Sequence, residues 1–170
     1  SAEGISLVLD SYEDLFSDFD PRSYSQKALS GDFLLECKKA SLDKKDKLQL
    51  KFFIPKNKRN SLNEIRIKKR LKEHFHKHFL EKKGEITKLR INGVFWTFVG
   101  SSMMILSAFF FTDHISFFET LFATLLQPAG WFFSWEGLTK ILITTKEKMP
   151  DYYFYKKMVD ARVSFSNYGA

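Results

Sequence analysis

Three histidines, His74, His76 and His78, stand together in a strongly basic stretch. His74 and His78 are four apart and share one helix face, the spacing used by metal-binding pairs. Glu73 and Glu81 do not complete a His-Glu-x-x-His motif, and no cysteine is near enough to finish a zinc site. The cluster therefore reads as part of a basic, partly protonated helix face, and no metal or other cofactor is expected. Asp18 and Asp20 can hold a cation or simply form a solvated turn. The single cysteine, Cys37, lies between Glu36 and Lys38 and rules out an internal disulfide. The chain carries no glycine-rich phosphate loop, nucleophile elbow or paired carboxylates, so no enzyme signature is present.

The other residues able to do chemistry are cations. Lys56, Lys58, Arg59, Arg66, Lys68, Lys69, Arg70 and Lys72 crowd one short segment, and the net charge of the chain is +7. Phosphate contacts from such residues give affinity without sequence information and weaken with salt. Phe52, Phe53, Phe75 and His76 can stack on bases where they are exposed. The candidate ligand-binding set is Lys56, Lys58, Arg59, Arg66, Lys69, Arg70, His74 and His78. A nucleotide or oligonucleotide, a cytoplasmic protein and anionic lipid headgroups all fit this charge.

What these cations flank decides the class of the chain. Ile91 to Phe111 contains no charged residue, about the ~20 apolar residues a helix needs to cross ~30 Å of hydrocarbon. In 170 residues of which 28% are charged, a soluble core offers little room to hide it. Thr112, Asp113 and His114 interrupt the run, and Thr120 to Trp135 is again uncharged. Extended to residues 117–143, this second segment is long enough to span but includes Glu119, Glu136 and Lys140. A transmembrane hairpin is expected; a re-entrant second segment broken at Pro128 and Gly130 is the alternative. The connecting loop has no Lys or Arg. Lys82, Lys83, Lys88 and Arg90 precede the first span, and Lys140, Lys146, Lys148, Lys156, Lys157 and Arg162 follow the second. Positive flanks stay inside, which predicts a multi-pass membrane protein with both termini cytoplasmic.

Within the spans, Gly93, Thr97, Gly100, Ser101 and Ser107 recur at near-helical steps and favour close helix contact. Asn92 and Gln127 can hydrogen-bond between helices and are candidates for pore lining or gating. Glu136, and Glu119 at the far end, are the carboxylates available for pore lining or gating; Glu136 has Lys140 four residues on as a ready partner. Trp131, Phe132, Phe133 and Trp135 form an aromatic belt. Two helices enclose no pore, so conduction requires a homo-oligomer.

The elements that carry these groups divide into four stretches: residues 1–60, a basic amphipathic helix over 61–90, the hairpin over 91–143, and a C-terminal helix and strand over 144–170. Strands are predicted at Ile5–Leu9, at Leu48–Ile54 with Leu48, Leu50, Phe52 and Ile54 on one face, and at Arg162–Ser166. Pairing of the last two would build one small cytoplasmic α/β domain from both ends of the chain. Short helices are expected after Ser11, through Leu15, Phe16 and Phe19, and after Ser30, with Phe33, Leu34 and Cys37 inward. Ser61-Leu-Asn-Glu64 reads as a capping box. Behind it Leu62, Ile65, Leu71, Phe75, Phe79, Ile86 and Leu89 recur at mostly three- and four-residue steps. Unless Gly84 stops it, this helix enters the first span directly. Pro150 suits the first turn of a last helix to about Met158.

The fold class expected is thus a mainly α membrane protein with a two-helix hairpin and a small α/β domain. This layout, over the whole chain, resembles the small transmembrane effectors of bacterial anti-phage defence, such as the channel-like effector of the Hailong system. The phrases Phe16-Ser-Asp-Phe-Asp-Pro-Arg22 and Gln127-Pro-Ala-Gly-Trp-Phe-Phe-Ser-Trp-Glu-Gly137 also resemble a small bacterial membrane family. The effector resemblance implies ligand-controlled membrane disruption, with a nucleotide signal held at the basic face. A passive membrane anchor or scaffold for a cytoplasmic partner is the other class of function the sequence allows.

Overall fold

The computed structural model describes residues 3–44, 47–110 and 116–168. Thr112, Asp113 and His114 of the expected loop lie outside them. The protein is mainly helical with one small sheet. Two compact units divide the chain: residues 1–80 with 151–170, and residues 81–150.

The first unit is a two-layer α/β structure. Its strands, β1 (Glu3–Val8), β2 (Leu48–Pro55) and β3 (Arg162–Tyr168), form a parallel sheet in the order β1-β2-β3. The register sets Ile5 beside Leu50 and Leu50 beside Val163. Alternation along β2 turns Leu48, Leu50, Phe52 and Ile54 to one face, where all four are buried. Against that face lie Phe33 and Cys37 from α1 (Gly31–Ser41), Ile67, Leu71 and Phe75 from the first part of α2 (Ser61–Phe110), and Phe154 and Met158 from the end of α4 (Thr145–Val159). The C-terminal strand is therefore integral to the core: Phe165 packs on Phe52 with ring centroids 5.3 Å apart.

Several local expectations are corrected. The segment after Ser11 is one 3₁₀ turn, Tyr12–Leu15, and not a helix reaching Phe19. The Asp14 carboxylate accepts the Asp10 and Ser11 amides, and the chain then leaves helical geometry at Phe16. Ser30 caps α1 as expected, its hydroxyl accepting the Phe33 amide. The cap of α2 is Asn60, whose Oδ1 accepts the Leu62 and Asn63 amides, so Ser61 is already helical. The inward face of α2 follows Glu64, Ile67, Leu71 and Phe75, whereas Leu62 and Ile65 are exposed. A buried carboxylate in the first inward position is what disguises that face in the sequence.

The second unit contains the rest of α2, then α3 (Phe117–Thr139), and the start of α4. Gly84 does not stop α2, which runs unbroken for 50 residues, about 75 Å at ~1.5 Å per residue. Pro128 and Gly130 do not break α3, and Pro150 lies inside α4 rather than at its start. One π-helical turn, Lys140–Thr144, joins α3 to α4. There the Thr145 amide donates to the Lys140 carbonyl, and the Thr145 hydroxyl reaches the same oxygen at 2.8 Å. Among the described residues one helix, Ser61–Phe109, is long and apolar enough to cross a membrane; α3 is not a second by the same measure, so the expected two-span hairpin is matched in its first member alone.

Candidate functional site: a glycine seam inside an apolar skin

The second unit is organised by a seam of small residues. Gly93 faces Gly137, Gly100 faces Gly130, and the Ser107 hydroxyl donates to the Ala123 carbonyl at 2.9 Å. On each helix these residues recur every seven positions, the repeat that keeps one stripe facing a partner helix. Their opposed numbering shows that α2 and α3 run antiparallel. A Cβ at Gly93 would stand 2.8 Å from the Gly137 oxygen, and one at Gly130 would stand 2.7 Å from the Gly100 oxygen. The backbones thus touch, and no room remains for an ion between the two helices along this seam. Thr97 packs against Gly137 and turns its hydroxyl back to the Gly93 carbonyl at 2.8 Å. Ser101 is half-buried beside the seam. Trp96 stacks on Phe133 at 5.0 Å and an interplanar angle of 17°.

With the small residues inside, the large apolar ones point out. Ile91, Val94, Phe95, Phe98, Ile105, Leu106 and Phe109 are exposed on α2. Phe117, Phe118, Phe122, Leu125, Trp131, Phe132 and Trp135 are exposed on α3. Burying one such side chain is worth about 1.5–3 kcal/mol, and a soluble monomer rarely leaves so large a patch open to water. Asn92 and Gln127 are exposed within this skin. Glu119 caps α3, accepting the Ser116 amide at 2.9 Å. Glu136 is ion-paired with Lys140 one turn on.

Sequence reasoning misses the half of the seam on α3, formed by Ala123, Gly130 and Gly137, because Gly130 resembles a helix breaker there. A signal for it exists: the same seven-residue step occurs in both segments.

The basic set of the first unit is not one open face. Arg59 grips Glu64 with two nitrogens, Nε to Oε1 at 2.8 Å and Nη2 to Oε2 at 2.9 Å, and its Nη1 reaches Asn167. This pairing holds the Glu64 carboxyl below its ordinary range despite burial. Lys58 donates to the Asp10 carbonyl, and Arg70 Nε to the Lys27 carbonyl at 3.0 Å. His74 has a buried Nε2 without a hydrogen-bond partner, and its ring lies 4.3 Å from that of His78. Burial first, then the nearby His78, Arg70 and Lys77, push the His74 pKa down to about 4. His74 is thus neutral near pH 7, which corrects its place on a protonated face. His78 stacks on Tyr155. Lys56, Arg66 and Lys69 stay exposed, Lys69 only 3.9 Å from Glu73.

Cys37 is fully buried, and burial pushes its thiol up to about 12. Among the described residues no group of three or more His, Cys, Asp or Glu side chains is placed to hold a metal. Comparison with protein families, with characterised proteins and with solved structures finds no match for this chain.

Proposed function

We propose that the protein is a homo-oligomeric membrane element whose α/β unit controls permeability. In this reading α2 and α3 cross the bilayer of a bacterial inner membrane as a hairpin, and both termini are cytoplasmic. The observation that carries it is the division of the second unit: glycine and small residues turned inward, and large apolar side chains turned outward over both helices. The lysine-rich ends of the pair and the Trp131–Trp135 belt support the orientation.

Asn92 and Gln127 support assembly. Each presents an exposed amide amid apolar side chains, and in lipid such a group gains by hydrogen-bonding to a neighbouring helix. A single helix pair in glycine contact has no path of its own, so several copies must line one. The exposed cations Lys56, Arg66 and Lys69 are the places for an anionic ligand, a nucleotide or an oligonucleotide.

A mass measurement in native-like lipid, followed by ion flux from loaded liposomes, tests the reading. A defined oligomer that releases ions supports it. A monomer, or a bundle that passes no ions, favours a membrane anchor for a cytoplasmic protein. Anisotropy of short labelled single strands at several salt concentrations tests the ligand; no binding at low salt rejects that part.

A further inference from the structure

Two features of the α/β unit remain without a role: a displayed aromatic ring and an unfilled apolar cleft. Phe19 is 97% exposed, at the tip of the loop that joins the 3₁₀ turn to α1. The loop around it is pinned. Ser17 donates its amide to the Ala28 carbonyl at 2.8 Å, and Phe16 bridges to Leu29. The Asp20 carboxylate takes the Ala28 amide at 2.7 Å and the Arg22 guanidinium. These contacts fix the loop backbone and so lower the ordering cost of docking the ring it displays. Asp18 adjoins it, and Asp32 shares with it a shallow cavity of about 260 Å³.

The cleft lies between α2 and the junction of α4 with β3, and its volume is about 270 Å³. Leu71, Phe75 and Met158, themselves nearly wholly buried, lie beneath it, and the half-buried Val159, Ala161 and Val163 form its apolar wall. Lys68 and Lys72, one helical turn apart, add two positive charges to its lining. Phe19 of the same chain is not among the residues that line it.

We propose that Phe19 of one copy docks into this cleft of the next, with Asp18 against Lys68 and Lys72. The ring suits the half-buried apolar wall, and the Asp18 carboxylate suits the basic rim. Asp160, also at the cleft, repels Asp18 and so orients the loop toward the lysines. The two patches differ, so the contact is head-to-tail and propagates into a closed ring or a filament. This rests on the homo-oligomer reading and names the surfaces that would build it.

Disulfide trapping in native-like lipid tests it with the full chain. One preparation carries Pro21→Cys, which keeps the Phe19 ring, and the other Asp160→Cys, both at exposed positions; wild type, with Cys37 buried, is the blank. Mixing them under mild oxidation should give a covalent dimer. Adding Lys68→Glu and Lys72→Glu to the Asp160→Cys chain should cut its yield about tenfold, and Asp18→Lys on the other chain should restore it. An oligomer by mass that yields no mixed dimer, or only dimers of the Pro21→Cys chain with itself, overturns this contact and leaves the homo-oligomer reading standing. A trapped, charge-dependent dimer in a protein that passes no ions supports the contact and removes the pore.

Discussion

Gly100 and Gly130 lie back to back across the helix pair, each backbone occupying the space where the other would carry a side chain. A Cβ on Gly130 would sit 2.7 Å from the Gly100 oxygen and 3.0 Å from the Met104 amide nitrogen. Both obstacles are backbone, so neither can swing aside.

Gly130→Ala should therefore force the helices apart and destabilise the second unit by about 1–3 kcal/mol, the usual cost of overpacking. Gly84→Ala is the matched control, because nothing lies within 4 Å of its Cβ position. There the helix gains roughly 0.5–1 kcal/mol from the better helix former. Thermal unfolding in one detergent should move the two variants in opposite directions. An unchanged midpoint for Gly130→Ala would mean that the helices do not meet at this seam.

The second prediction concerns Tyr12, Arg59 and Glu64. The Tyr12 hydroxyl donates to Glu64 at 2.8 Å while accepting the Asn60 amide at 2.8 Å, so it ties the start of α2 to the 3₁₀ turn. Tyr12→Phe strands the Asn60 amide and takes from Glu64 Oε1 one of its two donors, Arg59 Nε remaining, and should cost about 1–3 kcal/mol. Arg59→Ala should cost a similar amount, since it leaves a buried carboxylate without its cation while solvent near Arg59 offsets part of the loss. Urea midpoints measure both. Because its fork is occupied, Arg59→Ala should leave the salt dependence of any oligonucleotide binding unchanged, whereas Arg66→Ala and Lys69→Ala should flatten it.

These two sites show what is legible in the sequence. The strands and the long basic helix follow from period and caps, because each signal is local; the parallel pairing of the strands does not. The apolar runs likewise mark α2 and α3. Hidden are the features set by tertiary partners. Glu64 occupies an inward position that a polar residue disguises, and Arg59 reads as a free cation until Glu64 is seen beside it. Gly130 follows Pro128 closely and so resembles a stop, yet Gly100 opposite makes it a contact. Pro150 resembles a helix start because nothing local shows the π turn that carries the helix through Lys140–Thr144.

A third prediction follows from His74. Its folded pKa, about 4, lies below the ordinary value of 6.5. Between those values the unfolded chain binds a proton that the folded chain refuses. Stability should therefore be complete above about pH 6.5 and decline as the pH falls toward 4. The lowered carboxylates, Glu13 and Glu64, add their losses only near and below their own range. Urea midpoints at pH 7.5 and pH 5.5 isolate the histidine. Wild type should lose stability between them, and His74→Phe should lose measurably less. Equal losses in both proteins would assign the effect to another group.

The last prediction separates gating from packing at Glu136. Its ion pair with Lys140 is partly exposed, with side chains 44% and 24% accessible. Such a pair contributes about 0–1 kcal/mol to stability, so Glu136→Gln should leave the unfolding midpoint in detergent nearly unmoved. The charge itself is another matter. Near a membrane boundary one carboxylate per copy, repeated around an oligomer, sets the local ion concentration and the field that permeant ions meet. Removing it while keeping the shape should change conductance and its voltage dependence in planar bilayers, with Lys140 left as an uncompensated ring of positive charge. A variant with wild-type conductance, selectivity and voltage dependence would show that Glu136 serves only its neighbour one turn away.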